Sequence, residues 1–87
     1  MAKLSANGIE IVRYRTSDHC KDFGRTIVRE FSLRSNGWVL VKVQYTDGSW
    51  NGWKRWARVG ESVVGSPATV VRKNLERRHE TVEEVTQ

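Results

Sequence analysis

Apolar and polar positions alternate most regularly between residues 39 and 45, where Val39, Val41, Val43 and Tyr45 share one parity and Lys42 and Gln44 fall on the other. A period of two is the mark of a half-buried strand. The run leads into Asp47-Gly48 and then Asn51-Gly52, both Asx-Gly pairs of the kind that close antiparallel hairpins. Residues 38–58 (WVLVKVQYTDGSWNGWKRWAR), which hold all four tryptophans, therefore read as the central hairpin of a small sheet.

The flanking pattern extends that sheet. Residues 1–8 are polar and end in a turn-like Asn7-Gly8; residues 9–15 (IEIVRYR) have strand composition with broken alternation, Ile9 and Ile11 on one parity and Val12 and Tyr14 on the other. Such a break implies burial on both sides or a bulge near Ile11 and Val12. Residues 16–24 (TSDHCKDFG) are dense in loop formers and read as an exposed loop. Strand character resumes over 25–34: Ile27, Phe31 and Leu33 make the apolar parity, with Arg29 intruding on it, its stem lying flat near an edge and its head in water. Ser35-Asn36-Gly37 turns the chain into the hairpin, and strands joined this closely form an antiparallel meander.

Beyond the hairpin, residues 59–65 read as a connector and Ser66-Pro67 as a helix start, Ser66 capping free N–H groups and Pro67 losing no bond it would have made. The helix is predicted over 67–79, with Ala68, Val71 and Leu75 as a narrow apolar stripe and Arg72, Lys73, Arg77 and Arg78 outside it. Residues 81–87 read as a short final strand or a frayed end. The expectation is one α+β domain over 1–87: a meander of three to five antiparallel strands with a C-terminal helix packed on it, the ends 1–8 and 80–87 flexible or edge strands.

The two Asx-Gly pairs give different registers. With the turn at Asp47-Gly48, Tyr45 pairs with Trp50, Val41 with Lys54 and Val39 with Trp56, and the opposite face collects Lys42, Trp53 and Arg55. With the turn at Asn51-Gly52, Asp and Gly would sit inside a strand that both disfavour. We favour the first register, or a wider loop over 46–52. Unbroken parity then separates Trp53, Arg55 and Ala57 from Lys54, Trp56 and Arg58, so one set points away from the core. An outward tryptophan beside cations is a stacking platform for bases with neutralising charge for phosphates. Indoles spent on a small core, or on a protein interface, are the competing readings.

Composition narrows the function classes. The chain has 87 residues, 38% hydrophobic and 29% charged, enough for one small core. Fifteen Lys and Arg face ten Asp and Glu; residues 1–75 carry net +7 and residues 76–87 net −2. A basic body makes nucleic acid or an acidic partner the electrostatic expectation, against the plainer reading of cations that merely solubilise the surface. One cysteine, Cys20, excludes an internal disulfide, and no run of apolar residues long enough to span a membrane is present, so the expected setting is cytoplasmic. His19 and Cys20 are chain neighbours that point different ways, and His79 is distant in sequence; neither a nucleophilic dyad nor a zinc spacing results. Asp18 and Asp22 read as turn formers. No phosphate-cradling loop or nucleophile elbow occurs. The chain reads as a non-enzymatic binder without metal or cofactor.

The segments MAKLSANGIEIVRY, FSLRSNGWVLVK and NGWK resemble a scattered group of small bacteriophage and plasmid proteins. These open with a Lys-Leu-Ser-Ala-Asn-Gly-x-Glu-like segment, continue with a Ser-Asn/Asp-Gly-x-Val-Leu strand and reach Gly-Trp-Lys before a C-terminal helix. The matching residues, Asn7, Gly8, Asn36, Gly37, Gly52 and Trp53, are mainly turn formers, and Trp50 and Trp56 are additions to the pattern. The resemblance implies a shared fold, a mobile-element origin in a bacterial host, and action on host machinery, including counter-defence inhibition of the anti-CRISPR type.

The leading expectation is a module that binds nucleic acid or a host nucleoprotein complex through Trp53, Lys54, Arg55, Trp56 and Arg58, with Lys42, Arg72 and Lys73 as further phosphate contacts. The alternative is a protein-interaction module, or a homodimer, that docks through its tryptophan hairpin.

Overall fold

The computed structural model describes residues 8–22, 24–60 and 66–85; the expected polar opening at 1–7 and most of the connector, 61–65, lie outside them. Five strands and one helix follow in the order β1 (Glu10–Cys20), β2 (Arg25–Arg34), β3 (Trp38–Val43), β4 (Lys54–Arg58), α1 (Pro67–Arg78) and β5 (Thr81–Glu84). The strands make one antiparallel sheet in the order β4-β3-β2-β1-β5. This is the predicted meander with a C-terminal helix. The final segment is a strand, carried by the helix back to the far edge beside β1.

Local chemistry sets the elements. Ser66 accepts the Thr69 backbone N–H, Pro67 opens the helix, and Arg77 and Arg78 close it, matching charge to the negative end of the helix dipole. His79, expected inside the helix, is its extended C-cap. The β3–β4 turn is a three-residue loop, 46–48, closed by the Tyr45 N–H to the Ser49 carbonyl at 2.7 Å. Gly48 takes φ 91° there, a conformation in which a side chain would be strained. Asn51 then substitutes for a strand partner: its N–H donates to the Val43 carbonyl and its Oδ1 accepts the Val43 N–H.

One face of the sheet carries the core. Tyr14, Phe31, Leu33 and Val39 pack under Val71 and Leu75 of α1, and Leu75 is wholly buried. The bulge expected near Ile11 lies between Glu10 and Val12; it throws Ile11 out to 58% exposure and restores Val12, Tyr14 and Thr16 to the core face.

Residues 16–20 of the expected loop are strand, whereas its described residues 21, 22 and 24 form an exposed turn. Strand β1 runs on to Cys20, paired with Arg25, and Thr16 is fully buried. Loop-forming residue types were overridden by ladder pairing on both sides of β1. Asp18 is accordingly no turn former. Its Oδ2 lies 2.6 Å from His79 Nδ1 and 3.4 Å from Arg29 Nη1, and its Oδ1 accepts the Glu80 N–H at 2.8 Å. Arg29 thus stays on the core face in mid-strand by pairing with a carboxylate rather than by reaching an edge. The cluster ties the end of α1 and the start of β5 to β1.

Partial burial pushes the Asp18 carboxyl up, but the hydrogen bonds from His79 and the Glu80 N–H and the nearby positive charges outweigh it, leaving it below the ordinary aspartate range. A carboxyl depressed on folding gives stability that is complete above its unfolded value, ~3.9, and lost as pH falls through the folded value. Asp18→Asn is expected to cost about 1–3 kcal/mol at pH 7 and to flatten the loss of stability below about pH 4, as measured by urea melts across pH 3–7.

Candidate nucleic-acid interface

Among the described residues no helix lies over the opposite face of the sheet. Pairing register assigns its members: Arg13, Arg15 and Ser17 from β1, Glu30 and Ser32 from β2, and Leu40 and Lys42 from β3 stand opposite one another across the ladders. Trp38 begins β3 on the same parity, its N–H held by Asn36 Oδ1 at 3.1 Å, and it pairs with Arg58.

Strand β4 joins this face by a bulge. Leu40 pairs with Arg55 and Val39 with Ala57, so Trp56 is the extra residue between them. Unbroken parity would put Arg58 with Trp56. The bulge leaves Trp56 on the core side with Lys54, where its ring meets Phe31 edge-on with centroids 5.0 Å apart, and brings Arg58 to the outer face with Arg55, opposite Trp38. The expected Val41–Lys54 pairing holds, whereas Val39 pairs with Ala57 rather than Trp56.

Three indoles and their cations form a layered surface. Lys42 Nζ lies between two rings, 4.8 Å from the Trp50 centroid and 4.7 Å from that of Trp53. The Arg13 guanidinium covers Trp53 at 5.3 Å. Trp38 is flanked by Arg55 at 4.7 Å and Arg58 at 5.6 Å. Each contact of this type is worth ~0.5–1 kcal/mol when exposed and more when desolvated.

Glu30 is the centre of the face. Its side chain is 4% exposed and its two oxygens are shared by three cations. Arg15 donates Nε and Nη2 to Oε2 at 3.0 and 2.7 Å; Arg13 Nη1 and Lys42 Nζ approach Oε1 at 3.4 and 3.6 Å. Beside it Glu10 accepts Ser32 Oγ at 2.6 Å and Arg13 Nε at 2.9 Å. Burial pushes the Glu10 carboxyl up, but these bonds and the charges of Arg13 and Arg34 hold it below its ordinary value. By register the face carries Arg13, Arg15, Arg34, Lys42, Arg55 and Arg58 against Glu10, Glu30 and Glu83, net +3. Charge is graded across it. Among the described residues Arg55 and Arg58 have no carboxylate partner, so the uncompensated cations lie at the β4 edge, around Trp38.

Of the residues singled out from sequence, Trp53, Arg55, Arg58 and Lys42 come together on this face. Trp56 is on the other side of the sheet, with Arg78 5.7 Å above its ring, and Lys54, paired with Val41, shares that side. Arg72 and Lys73 are exposed on α1, beyond the sheet from the three indoles, with Arg72 engaged by Glu76 at 3.2 Å. Trp38, Trp50, Arg13, Arg15 and Glu30 were not singled out. Parity marks Trp38 and Lys42 as one face of β3, and Arg13 and Arg15 as the polar face of β1 once its bulge is placed.

No family model, curated protein or solved structure matches the chain. Among the described residues no cluster of His, Cys, Asp or Glu is arranged to hold a metal ion, and no helix is long and apolar enough to cross a membrane. The outer face offers flat aromatic surfaces, guanidinium donors and net positive charge, a combination suited to stacking with bases and pairing with phosphates.

Removing the central charge tests the internal wiring. Glu30→Gln leaves three cations around a neutral amide and is expected to destabilise the fold by about 1–3 kcal/mol, short of the full cost of a deeply buried ion because the cations keep some water. Urea melts of the two proteins at low ionic strength measure this, and the loss should shrink in high salt, where cation repulsion is screened.

Proposed function

We propose that this protein is a small basic module whose uncovered sheet face binds single-stranded nucleic acid, free or held in a nucleoprotein complex. The observation that carries the reading is the clustering of Trp38, Trp50 and Trp53 with Arg13, Lys42, Arg55 and Arg58 on one uncovered face. Indoles interleaved with cations satisfy both needs of a flexible strand, a surface for bases and charge for the backbone. Single strands suit it better than duplex, whose bases are stacked on each other and present only their edges.

Spacing supports the same reading. Lys42, beside Trp53, lies four residues along β3 from Trp38, about 13 Å at ~3.3 Å per residue. That separates the Trp38 and Trp53 stations by roughly four stacked nucleotides, or fewer in an extended strand. Guanidinium groups now resting on the rings would move to phosphates as bases take their place, an exchange that keeps every cation partnered. The motif resemblance to phage and plasmid proteins supports a mobile-element setting, in which the strand would be one held by host machinery such as a defence complex.

Fluorescence anisotropy with labelled oligo-dT and oligo-U of about 15 nucleotides, and with a duplex of equal length, tests the proposal. Binding to the single strands with quenching of tryptophan emission is expected. Trp38→Leu and Trp53→Leu should each weaken binding roughly 5- to 150-fold, since a stacked base is worth ~1–3 kcal/mol, while Arg72→Ala with Lys73→Ala should change it less than about twofold. Absence of binding at low salt, or a loss from the helix pair equal to that from the indoles, would refute it.

A further inference from the structure

The helix covers only part of its own side of the sheet. It lies over β1 and β5, and its apolar stripe seals Tyr14, Phe31, Leu33 and Val39. Over the rest of β2, β3 and β4 two adjoining hollows of about 390 and 570 Å³ remain, meeting at Trp56 and Arg78. The floor of the larger is Ile27, Val41 and Val43, all half-buried, and Trp56 stands between the two at 37% exposure. Val70 and Asn74 of α1 form one wall of the smaller.

We infer that this trough docks a peptide segment of a partner protein, acidic and with one apolar face. The floor decides the apolar half: branched aliphatic side chains offer shape to leucine-sized groups and no hydrogen bonds to base edges. Trp56 is more exposed than the three outer indoles, with its ring set edge-on to Phe31 and Arg78 over it.

The rim decides the charge. Arg78 lines both hollows and Lys54 stands on the same side through its pairing with Val41, while Arg29 and Asp18, which both line the larger, are paired with each other at 3.4 Å. The carboxylates near the trough are already engaged: Asp18 by His79, Arg29 and the Glu80 N–H, and Glu80 by the His19 N–H. A second copy presenting this trough would set cations against cations, which disfavours self-association here. Nucleic acid would satisfy the rim and leave its bases against valine and isoleucine. An acidic amphipathic segment satisfies both rim and floor.

The four indole N–H signals distinguish the two faces. Isotope-labelled full-length protein is titrated with a synthetic helical peptide of about 16 residues, leucine on one face and glutamate elsewhere; with the same peptide carrying lysine for glutamate; and separately with oligo-dT. The acidic peptide is expected to shift the Trp56 indole and the Val41 and Val43 amides while leaving Trp38, Trp50 and Trp53 in place. The lysine peptide should shift none of them, and Arg78→Glu and Lys54→Glu, both at exposed positions, should each weaken the acidic peptide at least fivefold. No movement of Trp56 with the acidic peptide, equal response to the lysine peptide, or movement of Trp56 by oligo-dT would overturn the inference. Failure of oligo-dT to move the outer indoles would count only against the nucleic-acid reading of the other face.

Discussion

A carboxylate buried on a sheet face that no other layer of the described residues covers is the constraint around which this molecule is arranged. Glu30 is 3% exposed, and an ionised group in that position is tolerable only with opposite charge and hydrogen bonds close around it. Arg13, Arg15 and Lys42 meet the requirement from the two strands that flank β2. Long cationic side chains are thereby drawn down along the face instead of extending into water. The heads of Arg13 and Lys42 then lie over Trp53, and that of Lys42 over Trp50 as well, so the order of the aromatic surface follows from the charge at its centre. Part of the entropy that such side chains would lose on meeting a ligand is already spent in folding.

Two bulges determine which residues see which side. The one in β1 restores Tyr14 to the core and so sets Arg13 and Arg15 facing outward. The one in β4 leaves Trp56 on the helix side with Lys54 and brings Arg58 across to Trp38. A one-residue slip exchanges the faces of a strand. In a chain whose two sides carry different chemistry, each bulge therefore divides the functional surfaces as well as shaping the sheet. The outer side is aromatic and cationic; the inner side, where the helix leaves it open, is aliphatic with a cationic rim.

Much of the fold could be read from local patterns because each element obeys a short-range rule. Alternation in Val39, Val41 and Val43, the Ser66-Pro67 cap and the Ala68, Val71, Leu75 stripe all survive in the structure. The first bulge was legible because it broke a visible alternation at Ile11 and Val12. The second was not, since KRWAR shows no break; it is visible only in the pairing of Val39 with Ala57 and of Leu40 with Arg55. Residues 16–20 were misread because their strand form comes from pairing with β2 and β5, which is non-local. The site was half legible for the same reason: Lys42, Trp53 and Arg55 share parity within one hairpin, whereas Arg13 and Glu30 reach them only through the register of three strands.

Binding of a nucleic-acid strand on the outer face requires the cations lying over the indoles to be exchangeable partners for phosphate. The most direct test is the dependence of oligo-dT affinity on salt, between about 50 and 200 mM, for the natural protein and for Arg55→Ala with Arg58→Ala. Each phosphate contact removed should lower the log–log slope by ~0.7, so the double change should reduce it by more than one unit while the fold, followed by its melting curve, stays intact. An unchanged slope with unchanged affinity would mean that these cations only hold the indoles in place, and would contradict the account.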